Sequence, residues 1–269
     1  MPLRTVLFAL ALCLGTLPAT AQLHDNIWLT SWFDYFLPQE SRIDFSGFPP
    51  SVSSVPEKVT RLSLCGTAMS DEAGQLLFYT NCYRIANPEG GVMENGDSLG
   101  FQFEHPSIGP RVGPSVPQQA IVLPDPGGSG DYFVIHINMT GWNTNWGHGT
   151  HLLYSRVNMS LNGGQGKVTE RNVTVIEDSL QFGGLTAARH ANGRDWWLLV
   201  FRFRSPQYYR LLLSPQGLAV AGTAEIDVPM PAAFGKNGFS PDGTRLALAS
   251  NEIWLSLVSS NPVHLLPHI

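Results

Sequence analysis

ANGRDWWLLVFRFR, residues 191–204, carries both halves of the pattern that decides the fold. Its first five residues are turn chemistry: Asn192 and Asp195 can hydrogen-bond their own backbone, and Gly193 accepts a positive φ. WWLLV then runs apolar without alternation, as a strand covered on both faces does. FRFR alternates Phe201 and Phe203 with Arg202 and Arg204, so the strand is expected to continue over 196–204. A polar, glycine-bearing bend followed by an aromatic or aliphatic strand is therefore the unit to search for elsewhere.

The same unit occurs three more times. Asp71-Glu72-Ala73-Gly74 precedes QLLFYT, residues 125–130 (DPGGSG) precede DYFVIH, and Pro241-Asp242-Gly243 precedes TRLALA, in which Leu246 and Leu248 share one face. Spacings of roughly 40–60 residues suit the blades of a β-propeller, each bend joining two strands of one blade. Further strand-like runs fall at 26–32, 61–65, 120–123, 132–138, 151–158, 173–177 and 208–214. No long segment has a 3.6-residue apolar period. The expected class is all-β: a propeller of antiparallel four-stranded blades, with about four to five blade-like units over residues 22–269 and an incomplete or open ring. A β-sandwich is the competing architecture, but sandwiches usually stop near ~100 residues.

Composition agrees. The 269 residues are 43% hydrophobic and 14% charged, which excludes disorder, and 27 Gly with 20 Pro argue against a helical body. The formal charge of −5 and the lack of Lys/Arg clusters leave nothing to displace counterions from nucleic acid. Arg4, the apolar run at 5–17 and Ala19-Thr20-Ala21 read as a signal peptide over 1–21, cleaved before Gln22. A membrane anchor would need ~20 apolar residues, and Pro18 interrupts this run. Secretion to a periplasmic, extracellular or cell-surface location is expected, with no membrane span after cleavage. Cys13 leaves with the signal, so Cys65 and Cys82 remain for an oxidising compartment, where a disulfide is favoured over a two-thiol metal site.

Taken in order, SDEAGQLLFYTN, VMENGDSL, QQAIVLPDPGGSGDYFVIH, YSRVNMSLNGGQGKVTERN, LTAARHANGRDWWLLVF and GFSPDGTRLALAS resemble one family. It is the N-terminal β-propeller-like module of large secreted or surface proteins of gliding, type IX secreting bacteria. The resemblance covers roughly residues 26–250 and implies a cell-surface or gliding-associated interaction module. The chain departs from the family after Ser250, where further blades usually follow, so a truncated member is implied. Cys82 stands where relatives commonly have Gly.

Chemistry is sparse. No G-x-S-x-G occurs, and GGSG at 127–130 has the wrong spacing. No phosphate-binding loop, dinucleotide fingerprint or H-E-x-x-H helix is present, so no cofactor is expected. His136, His148 and His151 lie close in sequence but lack a carboxylate or Cys partner nearby, so no metal site is assigned. Trp142, Trp146, His148 and His151 form the candidate binding patch, for a protein or carbohydrate ligand. Asp71, Glu94, Asp97, Asp125, Asp131 and Asp242 could supply a glycosidase pair, although turn formation explains most of them. The sequence thus points to a non-enzymatic binding module, with a propeller glycoside hydrolase or lyase acting on extracellular polysaccharide as the alternative.

Overall fold

The structure, a computed structural model, describes residues 24–32, 39–55, 60, 62, 65–100, 118–139, 148–227, 235–240, 242–250 and 256–258. The proposed signal peptide at 1–21 and the patch residues Trp142 and Trp146 lie outside the described residues. The fold is all-β, built from several small antiparallel sheets in which each strand pairs with the next in sequence.

Five sheets follow one another along the chain. The first holds β1 (Ile27–Trp32), β2 (Gln39–Asp44) and β3 (Ser51–Val55). The second holds β4 (Thr67–Ser70), β5 (Leu76–Thr80) and β6 (Ile85–Ala86). The third holds β7 (Ala120–Pro124), β8 (Asp131–Met139), β9 (Gly149–Asn158) and β10 (Lys167–Leu180). The fourth holds β11 (Thr186–Arg189), β12 (Trp196–Phe201), β13 (Gln207–Ser214) and β14 (Gly217–Glu225). The fifth holds β15 (Gly235–Phe239), β16 (Leu246–Ser250) and β17 (Ser256–Val258). Only the third and fourth have the expected four strands; the others have three among the described residues.

A separate apolar cluster fills each gap between consecutive sheets. Leu29, Leu62, Ala68 and Tyr79 lie between the first and second, and Met69, Phe78, Val122 and Val134 between the second and third. Ile135, Leu152, Leu198 and Val200 lie between the third and fourth, and Leu199, Phe201, Leu246 and Leu248 between the fourth and fifth. The unbroken apolar run of β12 is thereby explained. Leu198 and Val200 face one neighbour while Leu199 and Phe201 face the other, and all four are fully buried. Each such side chain contributes about 1.5–3 kcal/mol of burial.

The sheets do not form a straight pile. Gln118, just before β7, donates from Nε2 to the carbonyl of Asn237 on β15 at 2.8 Å and accepts from that residue's N–H at 2.7 Å. Packed sheets lie about 10 Å apart, so the third and fifth could not touch across the fourth unless their first strands converged. Contacts between β1 and β4, β4 and β7, and β11 and β15 follow the same rule, whereas the third and fourth sheets meet through their last strands, β10 and β14. The sheets therefore fan out from the edge formed by their leading strands.

The four sequence-expected bends are one repeated device. Gly74, Gly128, Gly193 and Gly243 donate to the carbonyls of Asp71, Asp125, His190 and Ser240, three residues earlier in each case. All four glycines have a left-handed φ between 68° and 81°. Asp71 Oδ1 accepts from Ala73 and Gln75, Asp125 Oδ1 from Gly127, Asn192 Oδ1 from Arg194 and Asp195, and Asp242 Oδ1 from Thr244. Each bend joins the first and second strands of its sheet.

One expected strand is corrected, and another lies mostly outside the described residues. β12 stops at Phe201 rather than reaching Arg204, because Arg204 takes a left-handed φ of 53° and Ser205-Pro206 turns the chain into β13. Of the strand expected over 61–65, residues 61, 63 and 64 lie outside the described residues; the next paired strand, β4, begins at Thr67. Cys65 and Cys82 are joined by a disulfide, with Cα atoms 6.2 Å apart. Cys82 has a φ of 65°, the conformation glycine adopts most easily. Asn81 shapes that bend, its Oδ1 accepting from Tyr83 and Arg84.

Replacing both cysteines separates the cross-link from the backbone it holds. Cys65→Ala/Cys82→Ala is expected to lose about 3 kcal/mol in urea denaturation, the entropy of closing so short a loop. Cys65→Ala/Cys82→Gly should lose about 1 kcal/mol less, because glycine relieves the left-handed residue.

Candidate functional site

The bends of the second, third and fourth sheets surround a pocket of about 650 Å³. The second sheet contributes Asp71 and Glu72, the third Asp125, Asp131 and Tyr132, and the fourth Arg189, Arg194 and Trp196. His24, ahead of β1, completes the wall, its Nδ1 2.8 Å from the Ser70 carbonyl. The volume lies within the range of small-molecule sites.

Charge divides the pocket. On the third sheet, Arg156 from β9 pairs with Asp125 and lies 2.8 Å from Asp131 through Nε. The Asp131 side chain is nine-tenths buried, and its Oδ1 has no hydrogen-bond partner among the described residues. On the second sheet, Asp71 is occupied only by backbone N–H groups of its own bend, and Glu72 is exposed. Burial, and secondarily the charges of Asp71 and Glu72, push the Tyr132 hydroxyl above its usual pKa. On the fourth sheet, Arg189 donates to the Gly193 carbonyl and stacks 4.3 Å above the Trp196 ring. Arg194 binds Asp195 through two nitrogens and holds that carboxyl below its usual range. The Trp196 Nε1–H is buried with no acceptor among the described residues.

The sequence-expected residues fall elsewhere. His148 stacks on Phe203 at 5.2 Å, and His151 contacts Thr150 Oγ1 at 2.9 Å with Glu177 3.9 Å away. Neither lines the pocket: both lie at the start of β9, whereas the pocket forms where β7 turns into β8. Of the six candidate acids, only Asp71, Asp125 and Asp131 line it. Glu94 pairs with Lys167 at 2.7 Å, and Arg84 holds Asp97 below its usual range. Hydrogen bonds from Ser240 and Thr244 lower Asp242 to about 2. Arg189, Arg194 and Trp196 were missed as site residues although they flank the bend that decides the fold. Among the described residues no three His, Cys, Asp or Glu side chains are grouped to hold a metal ion, and no helix is long and apolar enough to cross a membrane.

No protein-family profile matches the chain, and no curated protein matches it. Two solved structures are similar in part. One is a protein of unknown function from Desulfotomaculum acetoxidans, 11% identical over 86% of this chain and 66% of its own, with a TM-score of 0.35. The other is a Bacteroides uniformis protein provisionally assigned as a 6-phosphogluconolactonase, 14% identical over 86% of this chain and 67% of its own, with a TM-score of 0.37. The chain spans about two thirds of the length of each.

His136, on β8, is the one histidine of the sequence cluster in the core. It is 1% exposed, neither ring nitrogen has a hydrogen-bond partner of good geometry, and burial lowers its pKa to about 4. The folded chain thus keeps His136 neutral while the unfolded chain protonates it near 6.5. Its contribution to stability is complete above about pH 6.5 and is lost as pH falls toward 4, with a slope of about 1.4 kcal/mol per pH unit. Urea midpoints measured between pH 7 and 4 are expected to fall along that slope, and His136→Leu should remove it.

Proposed function

We propose that this chain is a secreted, non-enzymatic β-propeller module, incomplete or open over the residues present, that binds an extracellular or cell-surface ligand in the pocket between its bends. The observation that carries this reading is the meeting of three successive bends around one pocket, each closed by a left-handed glycine and an Asp or Asn side-chain oxygen. A fan of consecutively paired sheets whose leading strands converge is the arrangement of propeller blades. Loops on such a frame present side chains to a ligand while the sheets keep them in place. The resemblance to the surface modules of type IX secreting bacteria supports the extracellular assignment, as does the leader-like segment at 1–21.

The pocket's acids favour binding over polysaccharide cleavage. A glycosidase needs one carboxyl held protonated near neutral pH. Asp125 and Asp131 instead share Arg156, and Asp71 serves its own turn.

A panel of polysaccharides and peptides presented to the purified protein tests this. A ligand retained without breakdown is expected, with Trp196→Ala weakening retention about tenfold through loss of the aromatic wall. His151→Ala should leave retention unchanged. Release of new reducing or unsaturated ends would establish the hydrolase or lyase instead.

A further inference from the structure

Four Asn-Gly pairs occur in the chain: Asn95-Gly96, Asn162-Gly163, Asn192-Gly193 and Asn237-Gly238. Such a pair carries its own reaction, because glycine has no Cβ to shield its amide nitrogen from the carboxamide before it. The reaction needs that nitrogen free of a hydrogen bond and the Asn side chain free to swing over it. Three of the pairs are locked. Gly96 donates to the Met93 carbonyl at 2.7 Å, and Asn95 Nδ2 donates to the Val168 carbonyl at 3.3 Å. Gly193 donates to the His190 carbonyl, while the Asn192 side chain accepts from Arg194 and Asp195 and donates to Asp195 Oδ2. Asn237 is buried, and Gly238 lies in the β15–β16 ladder opposite Ala247. Asn162-Gly163 differs on every count. Both residues are exposed in the connection between β9 and β10, and a Cβ added at Gly163 would meet nothing within 4 Å. Neither the Asn162 carboxamide nor the Gly163 N–H has a hydrogen-bond partner among the described residues. The cause is local: the pair opens a single 3₁₀ turn (Asn162–Gly164) with no side-chain cap, and the first N–H groups of such a turn have no acceptor within it.

We propose that Asn162 is a self-modifying site, converting to aspartate and isoaspartate with release of ammonia. The Gly163 nitrogen loses its proton to hydroxide and attacks Asn162 Cγ. The new N–Cγ bond closes a cyclic imide as the Cγ–Nδ2 bond breaks, and the departing amide takes a proton and leaves as ammonia. Water then opens the ring. Cleavage at Cγ gives aspartate, and cleavage at the Asn162 main-chain carbonyl gives isoaspartate, in which the chain runs through the side chain. No oxidant or reductant takes part: a water is consumed and an ammonia released. Either product puts a carboxylate where a neutral amide stood, and isoaspartate also lengthens the backbone by a carbon. The connection that changes is a braced one. Gln165 accepts from Asn87 Nδ2 at 2.7 Å and Lys167 pairs with Glu94 at 2.7 Å, so the modification falls where the third sheet is tied to the segment after β6.

Peptide mapping by mass spectrometry tests this on the purified chain, held folded in mildly alkaline buffer and, in parallel, unfolded in urea. In the folded chain the peptide carrying Asn162 is expected to exchange NH2 for OH first, with the other three pairs slower by about tenfold or more because each must first open locally. Its rate should rise in proportion to hydroxide. In urea the four pairs should react at comparable rates. An isoaspartate methyltransferase supplied with labelled S-adenosylmethionine reports the rerouted product independently. Asn162→Gln, whose larger ring closes far more slowly, should remove most of that label from the folded chain, with a thermal melt to check the fold. Asn162 staying intact in the folded chain while the urea sample reacts would overturn the proposal, as would another pair converting equally fast in the folded chain. So would a lead for Asn162 that persists undiminished in urea, since sequence rather than structure would then select it.

Discussion

A small antiparallel sheet made of consecutive hairpins has two faces and can cover neither by itself. Everything in this chain follows from how that requirement is met. Each internal sheet is covered on one face by its predecessor and on the other by its successor, so the core is four thin layers rather than one central mass. β12 shows the consequence: Leu198 and Leu199 are neighbours in sequence yet belong to different layers. The Gln118–Asn237 clamp then turns serial packing into a fan, since it joins sheets that are not neighbours. On the outermost face of the first sheet, Trp28 and Val52 remain 55% and 69% exposed, as expected of a face with no predecessor among the described residues.

Fanning is also what creates the site. Because each bend joins the leading strand of its sheet to the second, convergence of the leading strands draws the bends together at one end. The bends are stiff for local reasons, the left-handed glycine and the side-chain oxygen closing each turn. Arg156 reaches from β9 to Asp125 and Asp131, tying the third sheet's bend to a strand behind it. Charged side chains are thus held on short, well-braced loops, and ligand contacts there need little ordering on binding.

The bends and the doubly covered strand were legible in the sequence because their signals are local: Gly, Asp and Asn at fixed offsets, and an apolar run too dense for a half-exposed strand. β3, with the sequence SVSSV and an almost wholly exposed surface, carried no such signal, nor did β14, whose exposed positions hold Ala, Val, Thr and Glu. β15, GKNGF, looked like a loop by composition and is a strand because β16 pairs with it. The pocket was not legible because its walls come from bends far apart in the chain, brought together by packing. Two of its acids, Asp71 and Asp125, are turn formers by local pattern, and that role is real; their meeting at one pocket depends on neighbours no local pattern reveals. His148 and His151 drew attention by proximity in sequence, but a strand start is a different end of the sheet from the bends.

Buried polar atoms without a partner among the described residues occur on several sheets: Ser70 on the second, His136 on the third and Arg210 on the fourth, as well as Asp131 and Trp196. A buried donor or acceptor with no partner costs about 1–3 kcal/mol, so a fold retains few of them without a use. Asp131 Oδ1 and Trp196 Nε1 both belong to pocket residues, and Arg156 Nε lies near enough to Asp131 for an ion pair but is misaligned for a hydrogen bond. Other carboxylates are satisfied: Asp97 by Arg84, Asp178 by Arg202 and Tyr209, Asp195 by Arg194 and Asn192. Positions where local consistency fails while the surrounding structure is well determined are where ligand contacts concentrate. Asp131 and Trp196, the carboxylates of Asp71 and Glu72 and the braced bends line one pocket, brought together where the second, third and fourth sheets meet.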